Sequence, residues 1–308
     1  MIFQRVLITG ANGLLGQELV AQMSRRPEYD LLATGRDVEP RFLGGSCGYV
    51  RMDLTDETEV RRIFLDFAPN VVINCAAMTQ VDACETKREN CWEVNVDAVN
   101  LLAKSCLAIG ARLIQVSTDF IFDGADGPYR ENHPPKPLSF YGKSKWAAEN
   151  AVRGAGLDRW AVARTVLVYG TGEKLGRNNI VLWVIDQLSR GLPIRVVTDQ
   201  WRTPTYAVDL AEGIEKIVRY RKSGVFHLSG RELLSIYEIA LLIAEVFDLD
   251  TSLILPTDHT QFTQTARRPA RTGFIILKAE TELGYKPHSL RDALVHLGHR
   301  LGLPVISS

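Results

Sequence analysis

Arg5-Val6-Leu7-Ile8-Thr9-Gly10-Ala11-Asn12-Gly13-Leu14-Leu15-Gly16 is the stretch that decides the fold. Five strand-forming residues run into three glycines, and a periodic apolar segment from Leu14 to Arg25 reads as the helix that follows. In a strand–turn–helix of this kind Gly10 allows the tight turn. Gly13 lets backbone approach a pyrophosphate, and Gly16 lets the helix pack closely. The helix N-terminus presents unbonded N–H groups and a positive partial charge to phosphates. The turn from Gly10 to Gly16, with Asn12, Leu14 and Leu15, is therefore a candidate dinucleotide site. Its spacing is GxxGxxG, not the commoner GxGxxG.

Outward from this turn the rhythm continues. Leu31–Thr34, Tyr49–Met52, Val71–Asn74, Arg112–Ser117 and Trp160–Thr165 read as short strands. Helical patterns at Glu57–Phe67, Cys91–Ala108 and Tyr141–Gly154 separate them. Continuous apolar strands between amphipathic helices predict a doubly wound parallel sheet of the Rossmann type, α/β in class and covered on both faces. After Tyr169 the pattern changes. Gly170–Gly176 is a glycine- and charge-rich loop expected to be mobile until substrate arrives. Beyond it, helices at Asn179–Arg190, Asp209–Arg219, Ile236–Phe247 and Leu290–Leu301 mix with strands at Ile194–Val197 and Gly224–Leu228. Residues 1–168 are expected to form the dinucleotide-binding domain, with parts of about 194–228 interleaved. Residues 169–308 would mainly form a smaller mixed α/β substrate lobe.

Composition narrows the partners. Lys plus Arg and Asp plus Glu each total 36, so no global field recruits nucleic acid or an anionic membrane. An apolar fraction of 46% suffices for a large core. The N-terminus runs directly into the first strand, without a signal-peptide pattern. The most apolar later stretch, Ile236–Leu249, is interrupted by Glu238, Glu245 and Asp248. Five cysteines without a CxxC pair read as reduced thiols, which indicates the cytosol. No metal-ligand motif and no GxSxG turn occur, so no metal is expected.

Two further positions carry chemistry. The second strand ends Gly35-Arg36-Asp37, and an arginine there suits a ribose 2′-phosphate, favouring NADP(H) while leaving NADH open. Tyr141 and Lys145 lie four apart at a helix start, hence on one face. The lysine ammonium is expected to lower the phenol pKa and to grip a ribose, and Thr118, at the end of a strand, can offer a hydroxyl to a carbonyl oxygen.

These residues resemble an extended short-chain dehydrogenase/reductase, most closely the dTDP-4-dehydrorhamnose reductases, over nearly the whole chain. The marks are Gly10–Gly16, Asp53-Leu54-Thr55, Asn74-Cys75-Ala76-Ala77, Asn95, Ser117-Thr118-Asp119, Tyr141 to Lys145 with Glu149, and Asp199-Gln200-Trp201-Arg202-Thr203-Pro204-Thr205. The resemblance implies a catalytic set of Thr118, Tyr141 and Lys145. It places Asp53 and Leu54 at an adenine, Cys75, Ala76 and Ala77 along the cofactor, and Asn95 bracing the active-site backbone. It further implies a nucleotide-sugar substrate near Thr118 and Asp119, with Arg202 and Arg268 on its diphosphate, and is compatible with a homodimer. Phe120, Leu167 and Arg202 depart from the family's usual tyrosine, tryptophan and glycine, all near the expected sugar pocket. Related epimerases and dehydratases, and the NADP(H)-binding regulatory subunit of methionine adenosyltransferase, share the same pattern.

Overall fold

Val6, Leu7 and Ile8 are completely buried at the middle of a seven-stranded parallel sheet. The computed structural model describes residues 3–42, 45–175, 179–262 and 264–306. In chain order its first half comprises β1 (Gln4–Thr9), α1 (Leu14–Met23), β2 (Tyr29–Gly35), β3 (Cys47–Arg51), α2 (Glu57–Phe67), β4 (Val71–Asn74), α3 (Val81–Thr86), α4 (Arg88–Trp92), α5 (Ala98–Ile109), β5 (Arg112–Thr118), α6 (Phe140–Gly154) and β6 (Trp160–Thr165). The second half comprises β7 (Val168–Tyr169), α7 (Ile180–Ser189), β8 (Ile194–Val197), β9 (Trp201–Arg202), β10 (Thr205–Tyr206), α8 (Ala207–Arg219), β11 (Gly224–His227), β12 (Leu234–Ser235), α9 (Ile236–Val246), β13 (Ile254–Thr257), α10 (Leu277–Leu283) and α11 (Leu290–Leu301).

The main sheet runs β3-β2-β1-β4-β5-β6-β11, with Val6 opposite Leu31 on one side and Val71 on the other. From β1 the chain winds outward through β2 and β3, then returns to β4 on the opposite side. That reversal opens a crevice at the carboxyl ends of β1 and β4. Each face has its own core. Val6 and Ile8 pack with Leu19 and Met23 of α1 and Leu210 and Ile214 of α8. Leu7, Val72 and Leu113 pack with Phe64 of α2, Leu102 of α5 and Val152 of α6. Burial of each such large side chain contributes about 1.5–3 kcal/mol, which is why a strand covered on both faces reads as a continuous apolar run.

A separate core lies apart from the main sheet, where Val184 of α7, Ile243 of α9 and Leu294 of α11 meet Ile194 and Ile254. The β8 strand pairs with β13 there and does not join the main sheet. Within the stretch 194–228, then, β11 extends the large sheet beside β6 and α8 packs into its core. The helix expected at Cys91–Ala108 is also interrupted. A π-helical turn at Glu93–Asp97 separates α4 from α5, and such a wide turn re-aims the side chains on it.

Candidate active site

The glycine turn is built so that only glycine fits at its ends. Gly10 has φ 65, and a Cβ there would lie 2.7 Å from the Ala76 backbone nitrogen, on the turn after β4. At Gly16 a Cβ would meet the Gly10 carbonyl oxygen at 2.4 Å, so this glycine packs α1 against the turn itself. The turn thus sits directly against Cys75 and Ala76 at the switch point, and Gly13 begins α1 with no side-chain cap. That cradle fits the phosphates of a dinucleotide.

Asn12 behaves differently from its expected part in that cradle. Its amide donates to Asp37 Oδ2 at 2.9 Å, and its Oδ1 accepts the Arg41 backbone N–H at 2.9 Å. Its side chain therefore braces the loop after β2. Asp37 also accepts from Arg41 Nε at 2.9 Å, which occupies the carboxylate that could otherwise hold a ribose hydroxyl. Arg36 is exposed directly after β2, and Arg41, on the same loop and paired with Asp37, is a second cation that spacing alone did not single out. Asp53 accepts from the Thr55 N–H and hydroxyl, closing a turn that holds its carboxyl below the usual range, and Leu54 is buried beside it.

The described part of the loop expected to be mobile is hydrogen-bonded over this region. Gln17 of α1 donates to the Glu173 carbonyl at 2.9 Å and accepts the Glu173 N–H at 2.8 Å. Arg41 reaches the Lys174 carbonyl at 2.8 Å. Gly176, the end of that loop, lies outside the described residues.

At the carboxyl end of β5 the structure brings Thr118, Tyr141 and Lys145 together. Ser139 caps α6 by accepting the Gly142 N–H, so Tyr141 and Lys145 rise from its first turns. Asn95, on the π-helical turn, accepts the Met78 N–H at 2.8 Å and donates to the Ser144 hydroxyl at 3.0 Å. It thereby ties the turn after β4 to α6. The Thr118 hydroxyl faces the Tyr141 phenol closely enough to pull its pKa down, and Lys145 Nζ donates to the Val116 carbonyl at 2.7 Å.

The electrostatics correct the expected direction for Tyr141. Burial raises its pKa, while the Thr118 hydroxyl pulls the other way and the Asp119 charge adds to the rise. Lys145 is pushed down to about 8, first by burial and against the attraction of Glu149. Tyr141 therefore keeps its proton at neutral pH, because desolvation outweighs the pull of the Thr118 hydroxyl. A phenol so placed is a proton donor.

The expected arginine clamp is also corrected. Arg202 is buried, and its guanidinium donates to the carbonyls of Trp201 at 2.7 Å, Pro269 at 2.8 Å and Ala270 at 3.1 Å. It also lies 3.7 Å from Asp119 Oδ2. These acceptors consume its donors, so it locks the 269–271 loop and is not open to a diphosphate. Asp119 in turn accepts from the Thr118 and Thr272 hydroxyls and is buried, with its pKa raised by desolvation. Arg268 grips Asp82 with distances of 2.6 and 3.2 Å, yet its side chain remains partly exposed. It lines a cavity of about 250 Å³ with Trp183, Arg195, Gln200 and Phe262. Trp183 and Arg195 were not found from sequence, since an aromatic on an apolar helix reads as core. Leu167, in the family's tryptophan position, has φ 41, a left-handed conformation that strains a leucine.

The fold also gathers Asp199, Asp258 and His259 at the surface. There His259 pairs with Asp199 at 2.5 Å and Asp258 caps a short helical turn. Among the described residues no helix is long and apolar enough to cross a membrane. All five cysteines are unpaired, with Cys84, Cys91 and Cys106 buried.

A glycine turn at the switch point, with a Thr–Tyr–Lys set one strand away, goes with a Rossmann-type dehydrogenase fold of the extended short-chain dehydrogenase/reductase class. The chain belongs to the RmlD substrate binding domain family, which matches residues 4–302. It is 33% identical to methionine adenosyltransferase 2 subunit beta of Bos taurus, over 90% of this chain and 82% of that one. It is also 33% identical to the spore coat polysaccharide biosynthesis protein SpsK of Bacillus subtilis, over 94% and 95%. The crystal structure of dTDP-4-dehydrorhamnose reductase from Bacillus anthracis in complex with NADP superposes with a TM-score of 0.84 at 30% identity, covering 97% of this chain and 99% of that one.

Proposed function

We propose that this protein is an NADPH-dependent reductase of a 4-keto sugar carried on a nucleoside diphosphate. The convergence of Thr118, Tyr141 and Lys145 beside the glycine turn carries the reading, and the likeness to a reductase solved with NADP supports it. The bound nicotinamide would supply hydride. Tyr141 gives its phenolic proton to the oxygen as negative charge develops there, and the Thr118 hydroxyl turns its one proton from Asp119 to the same oxygen. Lys145 holds a ribose through its ammonium. The glycine turn takes the pyrophosphate, with Asp53 and Leu54 at the adenine and Arg36 and Arg41 on the 2′-phosphate. The cavity bearing Trp183, Arg195 and Arg268 receives the nucleotide part of the substrate, by stacking and by charge.

Steady-state turnover of a panel of keto-sugar nucleotides with NADPH and NADH tests the reading. Arg36→Ala is expected to erode a preference for NADPH, and equal affinities of the unmodified protein for both dinucleotides would count against the assignment. The pH profile is a second check. With Lys145 at about 8, kcat/KM should fall as pH rises through that value, because the ammonium is lost. A profile flat through that range removes the charged lysine from the mechanism.

Dehydratase chemistry is disfavoured by Asp119, which is buried against Arg202 and accepts from the Thr272 hydroxyl. A non-catalytic, dinucleotide-binding subunit is the second reading, since the methionine adenosyltransferase subunit is as similar in sequence as the biosynthetic relative. Tight NADPH binding without turnover of any keto-sugar nucleotide would select it.

A further inference from the structure

We propose that a cavity at the amino-terminal edge of the main sheet binds a small organic anion, a carboxylate or phosphate attached to an apolar body, through Arg112, Arg159 and Arg221. The cavity measures about 370 Å³ and is lined by the starts of β1, β4 and β5, the end of α5 and the end of α8. It lies at the opposite end of the sheet from the glycine turn. Six residues of extended chain separate Arg112 from Thr118, about 20 Å. No part of the proposed reductase site extends there.

Arg112 is the observation that asks for a ligand. It opens β5, is 6% exposed, and lines the cavity. Its Nη1 donates to the Ile217 carbonyl at 2.9 Å, which satisfies a carbonyl at the end of α8. Its Nε and Nη2 are both buried without a hydrogen-bond partner. Those two nitrogens form one edge of the guanidinium fork, the edge whose spacing matches two oxygens of a carboxylate or phosphate. A buried guanidinium edge without acceptors is costly, so a purely structural cap leaves half of this side chain unexplained. Burial and the neighbouring Arg159 push the Arg112 pKa down to about 10, in keeping with a cation that lacks its counter-ion.

The rim matches. Arg159 and Arg221 are exposed there, against a single acidic side chain, Asp158. Among the described residues no ion pair joins Asp158 to any of the three arginines, so the positive charge stands in excess. Phe3, Leu107 and Ile109 add apolar surface to the same cavity, and they are 63%, 50% and 39% exposed. Three exposed large apolar side chains beside three arginines suit a ligand with a charged head and an apolar or aromatic body. An oxyanion seated between Arg159 and Arg221 would draw the Nε–Nη2 edge toward it and give both N–H groups an acceptor.

The test uses the full chain with saturating NADPH, so that the glycine turn does not compete for anions. Phenylphosphate, benzoate and inorganic phosphate are titrated by calorimetry, and the arginine Nε–H resonances are followed by NMR. Phenylphosphate or benzoate should bind and move the Arg112 resonance, with inorganic phosphate weaker for lack of an apolar body. Tighter benzoate identifies a carboxylate ligand, and tighter phenylphosphate a phosphate ester. The Arg159→Ala/Arg221→Ala variant should weaken binding by about tenfold or more. Because both side chains are exposed, this variant leaves the core intact. Absence of binding by the unmodified protein at millimolar probe overturns the proposal, and so does unchanged affinity in the double variant. That variant also gives the answer if NADPH fails to bind, since its two positions lie away from the glycine turn.

Discussion

Tyr141→Phe is expected to lower turnover of a keto-sugar nucleotide by about a hundredfold or more while dinucleotide binding stays close to that of the unmodified protein. The ring sits in a small cluster with Cys84 and Cys91, and the Phe120 ring meets it edge-on at 5.8 Å. Phenylalanine preserves those contacts. The lost hydroxyl removes only a polar contact with Thr118, costing at most about 1 kcal/mol of stability, and Thr118 keeps its hydrogen bond to Asp119 in the free protein. The turn that would hold the pyrophosphate is untouched. Catalysis suffers because, among the described residues, no other group at this end of β5 is aimed to give a proton. Lys145 donates to Val116, and Asp119 accepts from two hydroxyls. Turnover unchanged in this variant sinks the proton-donor role. Loss of turnover together with loss of NADPH binding would instead make Tyr141 a structural residue.

What could be read in the sequence follows physical range. The apolar runs of β1, β4 and β5 announce themselves because both faces of each strand are buried, and the glycine spacing announces the turn because steric exclusion at Gly10 and Gly16 is local. Tyr141 and Lys145 were legible because helical spacing alone places them on one face. The misread features depend on neighbours far along the chain. Arg202 looked available until the carbonyls of residues 269 and 270 closed around it. The glycine-rich loop looked free, yet Gln17, 156 residues earlier, holds Glu173 at both its N–H and its carbonyl. The pKa of Tyr141 was weighed from the proximity of a lysine, whereas burial, invisible in spacing, dominates. Likewise, β8 has the composition of any buried strand, and only its pairing with β13 sets it apart from the main sheet.

Glu149→Ala is expected to destabilise the protein by about 3–5 kcal/mol, the cost of leaving a buried partner charge unpaired. Glu149 on α6 accepts from Arg164 Nε at 2.8 Å and Nη2 at 2.7 Å, and both side chains are essentially inaccessible to water. This pair pins α6 to β6, and so fixes the helix that carries Tyr141 and Lys145. Arg164 retains the Glu131 carbonyl at 3.2 Å when Glu149 is removed, but no carboxylate. Replacing both partners with apolar side chains, Glu149→Leu with Arg164→Met, should recover much of the loss, because no charge is then stranded. Denaturant unfolding of the two variants measures this difference, and equal stabilities would show that the stranded guanidinium is not the cause. The same substitution reaches function. Glu149 lies one turn beyond Lys145, and its charge holds the lysine pKa up against desolvation. Without it that pKa falls further below about 8, so the alkaline limb of kcat/KM should move to lower pH in Glu149→Ala. An unmoved limb in a folded variant would show that Lys145 does not set it, and would leave Glu149 with the helix pin alone.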